Sequence, residues 1–337
     1  MPVEVLVTTP FSESIINRLA TISPKISLRA IAAQKASEIP AEIWAQTEVL
    51  YTGHVLPEPE QVPSLRWIQF HFAGIDRYID EPVVNKTGLQ ITTLSGAATP
   101  QMAEYVLTML LALSRKLPAI LSYQKKPEWP KDRFERFAPF ELNGKTLGIV
   151  GYGSIGRQVA RLLQPFGMTV LATKRNAMDP RDNGYFAEGL GDPQGDLVHR
   201  IYPRQALKSM LKECNFVVVT APLTSETRDL VNADALAALK PGAFLVDVSR
   251  GGVVNHNDII EALKNGTLAG AALDVFPEEP LPVTSPLWQT PGLILSPHVS
   301  GTSPMYNERA AALFSENLHR YLGNLPLYNL FDGSRGY

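Results

Sequence analysis

Short apolar runs alternate along the chain with stretches in which apolar residues recur at helical spacing. In the N-terminal part, "VEVLVT", "EVLYT", "RWIQF" and "LQITTL" predict strands, with a helix from Ser12 to Leu19 after the first. Thr99 followed by Pro100 predicts an N-cap and first position for a helix running to about Leu117. From Lys145 the rhythm is regular, with strands at "TLGIVG", "MTVLAT", "FVVVTA", "AFLVDV", "AGAALDV" and "LILSP". Ser303 and Pro304 repeat the cap-plus-proline start for a last helix to about Leu322, with Gly323 as its stop. Apolar strands joined by helical crossovers imply parallel sheets covered on both faces. The expected architecture is α/β, with two doubly wound parallel-sheet domains. One comprises residues 1–98 together with 298–337, the last helix returning to it. The other comprises residues 99–297. Residues 176–200, rich in Gly, Pro, Asp and Asn, read as a long surface loop of functional or mobile character.

Composition narrows the function classes. The chain has 337 residues, 45% hydrophobic and 19% charged, with a net charge of −2, which gives no reason to expect a nucleic-acid partner. Its single cysteine, Cys214, excludes an internal disulfide and reads as core. The start "MPVEVLVTTPF" lacks the pattern of a signal peptide. The apolar stretch "MAEYVLTMLLAL" is too short to span a bilayer, so no membrane association and a cytoplasmic location are expected. His54, His71, His199, His256 and His319 show no close ligand spacing, and no metal is expected.

Gly151, Gly153 and Gly156 form G-x-G-x-x-G. The pattern is weak alone, but here it follows a strand and opens a helix at Ser154 and Ile155, as in a Rossmann-like dinucleotide cradle. The first glycine permits the turn, the second lets backbone approach a pyrophosphate, and the third lets helix and strand pack closely. The alternative is a tight turn with no ligand.

Three further features stand at strand ends. "AFLVDVSRGG" carries Arg250, "AGAALDVFPEEP" carries Asp274, Glu278 and Glu279, and "LILSPHVSG" carries His298 and Gly301. Singly, each reads as a surface ion pair or a loop residue. Together with a dinucleotide cradle they suit hydride chemistry on a 2-keto acid. Histidine is a proton donor of suitable range, a carboxylate supports it, and arginine offers a planar fork to a substrate carboxylate.

These pieces, with "LNGKTLGIVGYGSIG", "VVVTAPLTSETRDLVN" and the weaker "FAGIDRY", resemble the D-isomer-specific 2-hydroxyacid dehydrogenases over nearly the whole chain. The resemblance implies that Arg250 binds the substrate carboxylate and that His298 donates the proton in reduction. Glu279 pairs with His298, being the acid next to the proline. Asp274, Val248 and Ser249 would then line the nicotinamide side, and Ala221 and Pro222 the adenosine side. Backbone N–H groups of Gly74 and Ile75 would receive the substrate in a cleft between the domains. A homodimer is implied, with the helix near residues 100–117 central to it. Trp129 is considered as an aromatic sent into a neighbouring subunit's site, with loop packing favoured. The reaction implied is reduction of glyoxylate or hydroxypyruvate to the D-hydroxy acid. Alternatives are an NAD(H)-sensing corepressor-like scaffold, or a dehydrogenase of another small acid such as phosphite. A formate dehydrogenase is disfavoured, since glutamine would be expected at Glu279.

NAD-preferring sheets of this kind place an acid about 20 residues past the glycines. Here Lys174, Arg175 and Asn176 follow the strand, and the basic pair would attract a 2′-phosphate. NADP is therefore expected over NAD, unless Asp179 folds back to supply the acid.

Overall fold

The computed structural model describes residues 2–125, 127 and 129–333. The chain forms two compact units: Met1–Ala98 with Asn183–Tyr185 and Ser303–Tyr337, and Thr99–Asp182 with Phe186–Thr302. Of the expected C-terminal segment, residues 334–337 lie outside the described residues.

In the first unit, β1 (Val3–Val7), β2 (Ile26–Ala30), β3 (Val49–Thr52), β4 (Trp67–Phe70) and β5 (Gln90–Thr92) form a parallel sheet of order β2-β1-β3-β4-β5. The period-two pleat explains its apolar runs. Val5, Val7, Tyr51 and Trp67 face a layer holding Phe314 and Leu318 of helix Tyr306–Leu322. Leu6, Leu50, Ile68 and Phe70 face the other layer, with Trp44 and Val62. Strand β2 escaped the sequence reading because it is an edge strand with only Ile26 buried.

In the second unit, β6 (Thr146–Val150), β7 (Thr169–Lys174), β8 (Arg200–Pro203), β9 (Phe216–Val219), β10 (Ala243–Asp247), β11 (Leu268–Leu273) and β12 (Leu293–Leu295) form a parallel sheet of order β12-β11-β10-β9-β6-β7-β8. Chain order reverses between β9 and β6. In an open α/β sheet this is where ligands bind.

Several boundaries differ from expectation. The second unit runs to Thr302 rather than ending at 297, because the Val299 and Ser300 N–H groups are held by Asp274 of that unit. His298 therefore belongs to the second unit. The helix expected to start after a Thr99 cap includes Thr99, whose Oγ1 has no partner. It ends at Ser114, where Lys116 turns left-handed (φ 55) and a second helix, Leu117–Tyr123, leaves at 61°. Among the described residues no single helix is long and apolar enough to cross a membrane, and Met102, Val106, Leu110 and Leu113 of the first are buried. The last helix starts at Tyr306 rather than after Ser303, whose Oγ instead caps the preceding turn.

The 176–200 segment is more ordered than a surface loop. Its last residue begins β8, missed because this edge strand buries only Tyr202. Asp192, 4% exposed, accepts the N–H groups of Gly195, Asp196 and Leu197 and the hydroxyl of Tyr152. Arg157, wholly buried, donates to the carbonyls of Pro180 and Asp192, and the Asp182 carboxylate lies 3.3 Å from its Nε. A buried guanidinium needs such partners, so the segment is fastened to the cradle helix.

Candidate active site

All seven strands of the second sheet run the same way, so their carboxyl ends share one edge. Gly151, Gly153, Ser154, Ile155 and Gly156 stand there after β6, and helix Ser154–Leu163 starts with Gly153 as an N-cap that supplies no side-chain bond. Its first-turn N–H groups thus form the positive end of a helix without an internal side-chain cap. A Cβ at Gly153 would meet nothing within 4 Å, so the backbone faces open space. At Gly156 a Cβ would fall 2.7 Å from the Gly151 carbonyl oxygen and 2.8 Å from Ile149 Cγ2, so only glycine lets helix and strand approach this closely. This arrangement fits a dinucleotide pyrophosphate.

Beside the cradle, β9 leads into Ala221, which is buried, and half-buried Pro222. After β10, Val248 and Ser249 are buried and Arg250 is half-buried, its Nη1 donating to the Ser249 carbonyl at 2.9 Å. Gly251 follows, where a Cβ would lie 2.0 Å from the Phe276 carbonyl oxygen. That close approach packs the Arg250 loop against the loop of Glu279.

The centre of the site is a hydrogen-bonded histidine–carboxylate pair. His298 Nδ1 lies 2.8 Å from Glu279 Oε2. The other carboxylate oxygen of Glu279 accepts the Phe276 N–H at 3.0 Å, which fixes the acid's orientation. With Nδ1 engaged, Nε2 on the far side of the ring is the nitrogen left to exchange a proton with a substrate. His298 is left-handed (φ 53), a conformation a non-glycine residue keeps only when its surroundings impose it. Asp274 imposes it. This carboxylate is fully buried, and it accepts the Val299 and Ser300 N–H groups at 2.9 Å and the Ser296 hydroxyl at 2.6 Å. Tyr105 Oη is 2.5 Å from Ser296 Oγ and extends the chain of hydrogen bonds to helix Thr99–Ser114. Asp274 was expected beside the cofactor. Its oxygens are spent on the turn that carries His298, and Gly301 closes that turn, its carbonyl accepting from Gln101.

Asp247, at the end of β10, is a second buried carboxyl. Oδ1 accepts the N–H and hydroxyl of Ser249, and Oδ2 has no partner. Burial, reinforced by the nearby Asp274 charge, raises it to about 7 against the opposing Ser249 bonds.

At the end of β7, Lys174 is not the outward cation that the sequence implied. Its ammonium donates to the carbonyls of Asp179 (2.7 Å) and Arg181, and burial lowers its pKa. Asp179 does fold back, but its carboxylate pairs with Arg181 at 2.9 Å. Arg175 is exposed. In the first unit, Ile75 is 3% exposed with its side chain in that unit's core, and Gly74 is half-buried. Trp129 is 80% exposed. Cys214 is buried, and burial pushes its thiol up to about 12, as suits a core residue. Among the described residues no group of His, Cys, Asp or Glu could hold a metal ion.

Sequence reasoning missed Tyr105, Ser296 and Asp247, and it missed that Asp274 supports the His298 turn. Tyr105 sits inside an apolar helical run, so nothing local marks it.

Comparison with known proteins gives a consistent result. The family model for "D-isomer specific 2-hydroxyacid dehydrogenase, NAD binding domain" matches residues 107–300. A glyoxylate reductase of Thermococcus litoralis is 31% identical over 308 residues, covering 90% of this chain and 87% of the relative. An (S)-sulfolactate dehydrogenase of Chromohalobacter salexigens is 34% identical, covering 77% of this chain and 79% of the relative. A D-isomer-specific 2-hydroxyacid dehydrogenase of Xanthobacter autotrophicus, solved with NADPH and MES, superposes with a TM-score of 0.78 at 27% identity, covering 100% of this chain and 99% of that one. With a strand-reversal cradle, a histidine–carboxylate pair and relatives spanning most of its length, the chain belongs to the D-isomer-specific 2-hydroxyacid dehydrogenase family.

Proposed function

We propose that this protein reduces a small 2-keto acid of the glyoxylate or hydroxypyruvate type to the D-2-hydroxy acid, using NADPH in preference to NADH. The observation that carries the reading is the His298 Nδ1–Glu279 Oε2 contact of 2.8 Å on the same carboxyl edge of the sheet as the glycine cradle. When bound, the nicotinamide supplies the hydride. His298 then delivers a proton from Nε2 to the oxygen of the carbonyl being reduced, and in oxidation it takes that proton back. Glu279 holds the ring in place and balances its charge. Arg250 binds the substrate carboxylate through its planar fork and polarises the carbonyl. Gly74 and Ile75 offer backbone N–H groups to the same substrate. Gly151–Gly156, Ala221, Pro222, Val248 and Ser249 line the cofactor path. Asp274 acts through His298, holding its turn, rather than through the cofactor.

The preference for NADPH rests on the absence of an acid at the end of β7 and on the exposed Arg175, with Lys174 supporting the loop behind it. A homodimer is supported by apolar side chains exposed after the helix Thr99–Ser114: Leu117, Ile120, Leu121, Trp129 and Phe134. A cytoplasmic location completes the reading.

The test is cofactor oxidation with a panel of keto acids. Glyoxylate or hydroxypyruvate should be turned over, with kcat/KM higher for NADPH than for NADH. Binding of dinucleotide without turnover of any keto acid would refute the enzymatic reading.

A further inference from the structure

The order of the second sheet makes one ion pair unusual. Arg204 is the first residue after β8, and Glu226 lies in the turn that follows β9. Strands β6 and β7 stand between those two, so at about 4.8 Å per strand their ends are about 14 Å apart. Yet Arg204 Nη1 lies 2.5 Å from Glu226 Oε2. The pair therefore arches across the carboxyl ends of β6 and β7, where the glycine cradle begins.

The turn bearing Glu226 is built to reach there. At its root, the Thr220 hydroxyl donates to the Gly151 carbonyl at 2.7 Å, tying it to the cradle. At its centre, buried Thr227 donates to the Pro222 carbonyl at 2.6 Å and accepts the Thr224 N–H at 2.8 Å. Glu226 stands next to that anchor, exposed. From the other side comes Arg175, the first residue after β7. Register places Lys174 opposite Pro203, so Arg175 and Arg204 leave neighbouring strand ends together. Both arginines hold the Glu226 carboxyl below its ordinary range, Arg204 more strongly.

We propose that Glu226 is an internal stand-in for an anion: Arg204, with Arg175, forms a seat for the 2′-phosphate of NADP, and the phosphate displaces the Glu226 carboxylate when it binds. The inference rests on the reading that the second unit binds a nicotinamide dinucleotide. Lys174 is left out of this seat, since its ammonium donates to two carbonyls of its own loop. A phosphate carries more charge and more acceptor oxygens than a carboxylate, so it wins two guanidinium groups from one. The pair it must open is partly exposed, with side chains 23% and 53% accessible, and such pairs open readily. Glu226 thereby sets cofactor choice: NADH has no group that could displace it.

The experiment is titration of wild type, Glu226→Gln and Arg204→Gln with NADPH and with NADH, read as the ratio of the two dissociation constants. Glu226→Gln should shift the ratio several-fold towards NADPH by removing the competitor. Arg204→Gln should shift it about tenfold towards NADH by removing a charged donor. If both variants leave the ratio unchanged, or weaken NADPH and NADH equally, the arch is only a structural clasp and the proposal falls. A wild type that prefers NADH refutes the cofactor preference proposed above but not this inference, which predicts the change in ratio. A wild type that binds neither dinucleotide overturns both.

Discussion

Replacing Asp247 by asparagine separates the charge of this buried group from its shape. Asp247 is fully buried, with Oδ1 bound twice by Ser249 and Oδ2 unpartnered. Burial raises it from 3.8 to about 7 in the folded chain. Below about pH 4 both folded and unfolded chains carry the neutral acid and no penalty arises. As pH rises from about 4 to about 7, the unfolded chain ionises while the folded chain stays protonated, so stability falls, and above about 7 the loss is complete. Each pH unit in that window is worth about 1.4 kcal/mol. Between about pH 5.5 and about pH 8.5 only the portion up to about 7 counts, which gives a loss of about 2 kcal/mol attributable to this group. Asparagine keeps the acceptor that Ser249 uses and has no proton to lose. Its Nδ2 replaces an already unpartnered oxygen, so any offset it introduces is independent of pH. Urea unfolding of wild type and Asp247→Asn, followed by circular dichroism at the two pH values, isolates the effect. The variant should gain about 2 kcal/mol on the wild type between the lower and the higher pH. A difference between the two proteins that does not change with pH would show that Asp247 is not a raised, buried acid.

Two other substitutions address the site. Asp274→Asn puts an amide where one oxygen accepts a backbone N–H, so it should loosen the His298 turn, lowering kcat at least tenfold. Its NADPH dissociation constant should stay within about twofold, whereas a cofactor-contacting Asp274 would change that constant first. Arg250→Lys keeps the charge and loses the fork, so KM for the keto acid should rise by about tenfold or more while KM for NADPH holds. Equal losses on both substrates would make Arg250 structural.

The sequence carried the parallel sheets because strands buried on both faces must be apolar throughout, as in "FVVVTA" and "AFLVDV". It carried the cradle because only glycine fits where Gly156 meets the Gly151 carbonyl. The edge strands β2 and β8 were silent, since one buried side chain each leaves no pattern. Lys174 was misjudged for a different reason. Residue type gives a charge, but whether an ammonium faces solvent or its own loop depends on where the Asp179 and Arg181 carbonyls turn. Asp274 and Tyr105 share that character: their work is done on residues distant in sequence, Ser296 to Ser300, and no local motif encodes such a pairing. The Arg204–Glu226 arch became visible only once strand order was known.

The role proposed for His298, oriented by Glu279, is that of proton donor in keto-acid reduction. Its most direct test is kcat for NADPH-dependent glyoxylate reduction by wild type and His298→Ala, with the NADPH dissociation constant of each measured alongside. A loss in kcat of about 10² or more is expected, with NADPH binding within about twofold of wild type. Near-full turnover by His298→Ala would contradict it.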